Sequence, residues 1–395
     1  MTRLCVATTS VPGDLRRKLD LIAATGFTGV EIHEPDLTGY AGTAKDIGAH
    51  ARALGLSVDL LQPFHEFEGL PERARAGAFA RLDHKLDLMQ DLGASTLLVG
   101  TTTHPDATSD MSSVVRDLSE LASRTGRAGC RAALLALPWA RHTKSEMEAM
   151  ALVEAVNSPY LGLALNSYFS LAGGSQAARL RNISGECIFH VQLCDAPALG
   201  FDISPLKSHF GLLPGQGGLH LASFVRVVAR SGYTGPWSLA RISASAADSR
   251  ETYARDGYRS LVSLLDTVSQ TEPAVAPPLP DLPRRVHATG LEFIEFSVDE
   301  QAKTELTTTL SSLAFRKERS HRSKSVELWR QGAVNIVVNS ESKGLAAEAR
   351  GIHGPCVCDM GLRVKDAEQT VRRALMLGAP EFSQPVGSGE LDIPA

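Results

Sequence analysis

Eight short apolar runs alternate with amphipathic stretches along the first 270 residues or so, and this pattern predicts an α/β chain built on a closed (β/α)₈ (TIM) barrel. The apolar runs span residues 4–10, 29–34, 58–64, 96–100, 132–137, 161–167, 188–195 and 235–243. The predicted helices include 14–26, 43–55, 79–93 and 219–232, each of which ends on a glycine. An open doubly wound sheet is the alternative, but no glycine-rich phosphate loop follows the first run.

A proline-rich stretch then separates the barrel from a second region. Its composition favours extended backbone over regular helix or central strand. We therefore predict a barrel domain over 1–270, a linker over 271–289 and an α+β domain over 290–395. In this last domain we expect a strand (291–298), a helix (299–315), a hairpin-like pair (325–332 and 334–340), a strand (356–364) and a helix (366–379). That order resembles one βαβββ unit followed by an incomplete second one.

Composition excludes several kinds of partner. The 395 residues carry 40 Lys+Arg and 44 Asp+Glu, a formal charge of -4, so we expect no nucleic-acid partner. The longest apolar runs, such as 132–140, fall far short of the ~20 residues that span a bilayer. The chain starts without an apolar segment long enough for a signal peptide. We expect a cytoplasmic protein without membrane contact.

Polar residues cluster where the predicted strands end, which is the face on which barrel active sites form. In 29–34, strand alternation turns Glu31 and His33 toward the barrel axis if Val30 and Ile32 face the helices. A His/Glu pair of this kind could perform acid-base chemistry. The catalytic candidates are Glu31, His33 and His142. The candidates for binding a substrate are Gln62, His65, Arg141, Asn166, Asp195, His209 and Gln216.

Four stretches, 61-LQPFHEFEG-69, 139-WARH-142, 190-HVQLCDAP-197 and 209-HFGLLPGQG-217, resemble the 3-dehydroshikimate dehydratases among the sugar-phosphate isomerase/epimerase-like barrels. Residues 290–395 resemble the non-catalytic first half of 4-hydroxyphenylpyruvate dioxygenase-like (vicinal oxygen chelate) domains, through 291-LEFIEFSVDE-300, 321-HRSKSVELWRQG-332 and His353-Gly354. The resemblance implies a divalent metal that assists removal of water from 3-dehydroshikimate, which gives protocatechuate.

The family's metal and catalytic positions are largely replaced in this chain. The expected fifth-strand glutamate is Leu135, the sixth-strand aspartate is Asn166, and the eighth-strand glutamate is Ala240, whereas the seventh-strand glutamine is kept as Gln192. Phe169 stands at the position of the family's catalytic histidine. At two positions where the family has an arginine that contacts substrate, this chain has His65 and Gly211.

Loss of three carboxylates removes the anionic oxygens that Mg²⁺ or Mn²⁺ needs. The changes are mutually consistent, because clustered carboxylates without a cation would repel one another. The sequence therefore suggests a degenerate or repurposed dehydratase-like protein, a pseudoenzyme that binds a small polar or cyclic carboxylate and has no cofactor. An active dehydratase, with its divalent metal, is one alternative. A regulatory or assembly module that forms a homodimer or binds a partner chain through the second domain is another. A histidine-rich metal site on His33, His65 and Gln192 is chemically feasible, but no local ligand spacing supports it.

Overall fold

The computed structural model describes residues 3–171, 177–197, 211–240, 250–275, 279, 282–380 and 382. Two compact units divide at Pro280 and Asp281. The exact domain limits 1–270, 271–289 and 290–395 remain predictions. In the described parts of the chain, no helix combines the length and the apolar character that crossing a bilayer requires.

The first unit is a closed barrel of eight parallel strands, which confirms the predicted fold. The strands are β1 (Leu4–Ala7), β2 (Gly29–His33), β3 (Ser57–Phe64), β4 (Thr96–Gly100), β5 (Arg131–Leu135), β6 (Leu161–Asn166), β7 (Ile188–Leu193) and β8 (Trp237–Leu239). Each strand pairs with the next one along the chain, and β8 closes the barrel on β1 through Leu4 and Trp237. All carboxyl ends therefore meet at one face.

Helices follow the strands around the outside of the barrel. They are α1 (Leu15–Ala24), α2 (Glu34–Thr38), α3 (Ala44–Ala53), α4 (Glu72–Leu92), α5 (Met111–Arg127), α6 (Glu146–Val156), α7 (Ser167–Leu171), α8 (Leu221–Arg230) and α9 (Arg250–Thr271). Thr43 and Asp46 form a capping box that starts α3. Gly93 ends α4 in the left-handed conformation, with φ of 74°. Glycine caps of this kind explain why the glycines in the sequence predicted the C-terminal ends of these helices.

Helix α4 differs from its predicted span because it starts seven residues earlier, at Glu72 and not at Phe79. The added segment, 72-ERARAGA-78, contains good helix formers but lacks the apolar spacing on which the prediction depended. Pro71 precedes it with extended backbone and fixes where the helix begins.

The second unit is a five-stranded mixed sheet in the order β10-β11-β12-β9-β13, as the predicted α+β class requires. Its elements are β9 (Gly290–Ser297), α10 (Glu300–Ser312), β10 (Arg316–Ser320), β11 (Val326–Gln331), β12 (Val334–Asn339), α11 (Leu345–His353), β13 (Cys356–Arg363) and α12 (Ala367–Met376). Strands β9 and β12 are parallel, and the other neighbours are antiparallel. Helix α10 packs through Leu310 against Trp329 and Val338 of the sheet.

Two elements of this unit were not predicted, namely β10 and α11. Strand β10 reads RKERS and is exposed at every residue, so it carries no apolar alternation. With β10 included, the order β9, α10, β10, β11, β12 is a full βαβββ unit.

Candidate active site

A cavity of about 300 Å³ opens at the carboxyl ends of the barrel strands. Its walls include residues at or just beyond the ends of β2, β3, β4, β5, β6, β7 and β8. The lining residues are Thr9, His33, Gln62, Pro63, Phe64, His65, Leu98, Gly100, Leu135, Leu137, Trp139, Asn166, Phe169, Gln192 and Ala240. Small-molecule sites of barrel enzymes occupy this position.

Glu31 lies beneath the cavity and is fully buried. Three donors, one from β3 and two from β7, reach its carboxylate. His190 Nε2 lies 2.8 Å from Oε1, while Gln62 Nε2 and Gln192 Nε2 donate to Oε2 over 2.9 and 2.6 Å. A buried carboxylate is tolerated when donors satisfy its oxygens in this way. Glu31 therefore faces the barrel axis, as strand alternation predicted.

Glu31 also determines how the amides above it are oriented. An ionised carboxylate only accepts hydrogen bonds, so Gln192 must present its NH₂ group to Glu31. Its Oε1 then points the other way and accepts from Asn166 Nδ2 over 3.0 Å. Asn166 Oδ1 in turn accepts from the backbone N–H of Tyr168 over 3.0 Å. The resulting chain of hydrogen bonds, Glu31 to Gln192 to Asn166, is self-consistent at both ends.

Carbon side chains form another part of the cavity lining. Leu135 packs in a cluster with Leu60 and Leu98, against which Leu137 and Phe169 also pack. The rings of Trp139 and Phe169 meet edge to face, with centroids 5.0 Å apart. Such a wall suits the face of a ring.

Two histidines lie at the rim, His33 partly buried and His65 exposed. Burial lowers the pKa of His33 below its usual 6.5; Lys18 and Lys85 act in the same direction, and Asp36 opposes them. Its imidazole is therefore mostly neutral at pH 7. A neutral imidazole beside a cavity can accept a proton.

The loop after β3 carries a second buried carboxylate outside the cavity. Glu68 accepts from the backbone N–H of Thr102 over 2.6 Å, and Glu66 accepts from the Thr102 hydroxyl over 2.8 Å. Burial raises the pKa of Glu68 to about 7, although the Thr102 bond acts against this shift. These contacts join the loops after β3 and β4.

Several predicted site residues do line the cavity, namely His33, Gln62, His65, Leu135, Asn166, Gln192 and Ala240. Four others do not. Arg141 is exposed, and His142 Nε2 bonds the Ala107 carbonyl over 2.8 Å in a loop outside the lining. Gln216 is exposed. His209 lies outside the described residues.

Asp195 also differs from its predicted role in substrate binding. Its carboxylate is buried and accepts four backbone N–H bonds, those of Ala196, Gly215, Gly217 and Leu219. With its oxygens so engaged, Asp195 shapes the loop that precedes α8 and does not line the cavity.

Among the described hydrogen bonds, the histidine that reaches Glu31 is His190 and not the candidate His33. Sequence reasoning missed His190. Strand alternation could have found it, since His190 and Gln192 are two residues apart on β7 and share a face. His190 Nδ1 is buried and has no hydrogen-bond partner among the described residues.

The four positions where the resemblance expects metal ligands do meet in this one cavity. Leu135 and Ala240 carry no donor atom, and each is only 6% exposed. The amide oxygens of Asn166 and Gln192 already accept hydrogen bonds. Among the described residues, no group of three His, Cys, Asp or Glu side chains could hold a metal ion. These residues do not fit a divalent cation.

A closed eight-stranded barrel with a polar-floored cavity at its carboxyl face is the architecture of barrel enzymes that act on small molecules. The family described as "Xylose isomerase-like TIM barrel" matches residues 19–264, and this chain belongs to it. The family described as "Hydroxyphenylpyruvate dioxygenase, HPPD, N-terminal" matches residues 284–395.

Three relatives match nearly the whole chain. A curated 3-dehydroshikimate dehydratase of Pseudomonas putida is 37% identical and one of Pseudomonas aeruginosa is 38% identical, each over 99% of this chain and 62% of its own length. A solved "xylose isomerase-like TIM barrel/4-hydroxyphenylpyruvate dioxygenase fusion protein" is 36% identical with a TM-score of 0.90, over 98% of this chain and 63% of its own. The chain thus spans just over three-fifths of the length of these relatives.

These comparisons correct the functional expectation drawn from the sequence. The interpretation as a degenerate or repurposed protein is wrong, because curated dehydratases match 99% of the chain at 37% and 38% identity. They favour the alternative of an active dehydratase.

Proposed function

We propose that this chain acts on 3-dehydroshikimate as a dehydratase and releases protocatechuate and water. The observation that carries the proposal is the identity of 37% and 38% to two curated 3-dehydroshikimate dehydratases over 99% of the chain. The ligand of the cavity is then a small cyclic carboxylate.

The cavity supports this proposal through its position and through a lining that combines amide and aromatic side chains. A volume of about 300 Å³ suits a single substituted ring. The Gln62, Asn166 and Gln192 amides can orient hydroxyl and ketone groups, while Trp139 and Phe169 contact the ring face.

Proton transfer needs a titratable group beside the ring, and Phe169 cannot provide it. We assign this role to His33, which lines the cavity and is mostly neutral at pH 7. In the elimination, the C–H bond next to the ketone breaks and its proton moves to the imidazole. The C–O bond then breaks, and the hydroxyl leaves as water after the imidazolium returns a proton to it. Enolisation of the ketone completes the aromatic ring.

The test is product formation from 3-dehydroshikimate by the purified chain, followed by the ultraviolet absorbance of protocatechuate and confirmed by chromatography. We expect product in proportion to protein concentration. Parallel reactions contain EDTA, MgCl₂ or MnCl₂, so that a metal requirement cannot hide activity. Absence of product above the protein-free rate in all three buffers would refute the proposal.

A further inference from the structure

The corner of the cavity where the resemblance expects a cation offers an unusual set of atoms. Leu135 and Ala240 contribute only carbon, and both are buried. The two remaining positions, Asn166 and Gln192, are neutral amides. A divalent ion here would lose its hydration without gaining a single anionic ligand from these four positions.

Gln192 is the one residue of the expected ligand set that this chain keeps, and its side-chain oxygen already accepts a hydrogen bond. Gln192 Oε1 accepts from Asn166 Nδ2 over 3.0 Å, so an amide hydrogen lies on the oxygen that a cation would need. Glu31 fixes this arrangement from below because it holds the Gln192 NH₂ group over 2.6 Å. Moving the Asn166 amide away would also break its bonds to the backbone N–H groups of Tyr168 and Phe169.

Glu31 offers no free ligand atom either. Its Oε1 faces His190 and its Oε2 faces Gln62 and Gln192, all within 2.9 Å. Three side-chain donors thus satisfy both oxygens of this buried carboxylate without an ion.

Apolar side chains adjoin this corner of the cavity. Leu135 is continuous with Leu98, Leu137 and Phe169, and Trp139 meets Phe169 edge to face. A flat ring placed here exchanges water for contacts with these carbon side chains and with the neighbouring amide groups.

We propose that this cavity holds a six-membered-ring carboxylate against the Leu135–Phe169–Trp139 wall and does so without a divalent cation. The inference uses the proposed function only for the class of ligand. It goes beyond that function because it removes the metal that the resemblance implies.

The experiment is calorimetric titration of the full chain with 3-hydroxybenzoate. This probe keeps the ring and carboxylate but lacks the neighbouring hydroxyls with which protocatechuate would itself chelate a metal. Titrations are run in EDTA and in MnCl₂, and Mn²⁺ binding is measured separately by electron paramagnetic resonance. We expect dissociation constants within twofold of each other in the two buffers and no stoichiometric Mn²⁺.

Two variants test where the probe binds. Phe169→Ala removes a ring from the wall and should weaken the probe roughly tenfold, about 1.4 kcal/mol. Met111→Ala truncates a side chain that is 54% exposed on α5, so it should leave the dissociation constant unchanged. Equal affinity of both variants and the wild type would overturn the assignment to this wall.

Other outcomes separate this inference from the proposed function. Stoichiometric Mn²⁺, or probe binding tightened tenfold by Mn²⁺, would overturn the inference, as would absence of probe binding in both buffers. Turnover that EDTA abolishes and Mn²⁺ restores would overturn it and leave the proposed function standing. Metal-independent probe binding without any turnover of 3-dehydroshikimate would support it while refuting the proposed function.

Discussion

Gln192 Nε2 donates to Glu31 Oε2 over 2.6 Å, and this contact orients the amides along the cavity floor. Because Glu31 only accepts, Gln192 must turn its Oε1 to Asn166, whose own oxygen then receives backbone N–H groups. One buried carboxylate on β2 thus fixes side chains on β6 and β7.

Replacing Glu31 with Gln should destabilise the barrel. The new NH₂ group would face donors on His190, Gln62 or Gln192, and a buried donor without an acceptor costs about 1–3 kcal/mol.

Urea unfolding measures this loss of stability. A Trp329→Phe background leaves Trp139 and Trp237, both in the first unit, so fluorescence then follows the barrel. The control is Glu154→Gln on the exposed face of α6, which should stay within about 0.5 kcal/mol of the parent. Equal effects of the two variants would contradict the role of Glu31.

Periodicity made the barrel predictable because each strand run is apolar and most helices end on glycine. Signals of this kind fail where an element carries no burial pattern. Strand β10 is wholly exposed, and the first turns of α4 are polar, so neither the strand nor the start of the helix was found. Tertiary pairing decides such elements, and a local pattern cannot report it.

The site was predictable to the extent that strand alternation and the family pattern reached it. The family pattern placed Leu135, Asn166, Gln192 and Ala240 at one barrel mouth, where the cavity contains them, and strand alternation turned Glu31 toward the barrel axis. Neither could show that the Asp195 carboxylate accepts backbone N–H bonds from the loop before α8. Neither could show that His142 bonds the carbonyl of Ala107 in another loop. Those partners lie in separate segments, so only the folded chain reveals them.

His33 and His142 were both catalytic candidates, and the structure distinguishes them. We expect His33→Gln to lower kcat for dehydration by about 10²–10⁴, the usual contribution of a positioned general base. His142→Gln should have little effect because that ring lies outside the cavity lining and bonds Ala107. Steady-state rates on 3-dehydroshikimate decide this. A larger loss in the His142 variant would remove His33 from the proposed mechanism.

The pH dependence of turnover should show the titration of His33. Burial lowers its pKa below 6.5, and only the neutral imidazole accepts a proton. Activity should therefore persist as the pH falls to 6.5 and be lost at more acidic pH, as the ring becomes charged. Profiles of kcat/KM between pH 4.5 and 8 measure this limb. If the limb persisted unchanged in the residual activity of His33→Gln, another group would be responsible for it.

Glu68 should make the barrel less stable as the pH rises. Its pKa is raised to about 7 in the folded chain, so the folded state retains a proton that the unfolded state releases near pH 4.5. Stability linked to this group is therefore greatest below pH 4.5 and falls through the interval up to about 7, by on the order of 3 kcal/mol. Glu68→Gln keeps an acceptor for Thr102 and should flatten this fall. Urea unfolding at several pH values measures it, with Glu154→Gln as the control. Parallel pH profiles of wild type and Glu68→Gln would show that Glu68 has no such influence.

Restoring the expected ligands should create a cation site in this corner of the cavity. Leu135→Glu, Asn166→Asp and Ala240→Glu would place three carboxylates beside Gln192 in one cavity. Without metal, this triple variant should be less stable than wild type because the buried charges repel and because Leu135 leaves its cluster. Saturating Mn²⁺ should recover part of this loss of stability, by about 2.7 kcal/mol at a hundredfold excess over Kd.

Each single variant should bind Mn²⁺ no better than wild type, since the ligands act as a set. Electron paramagnetic resonance and thermal unfolding with and without Mn²⁺ measure both effects, and a single variant that bound Mn²⁺ as tightly as the triple would show that the corner was already close to a metal site.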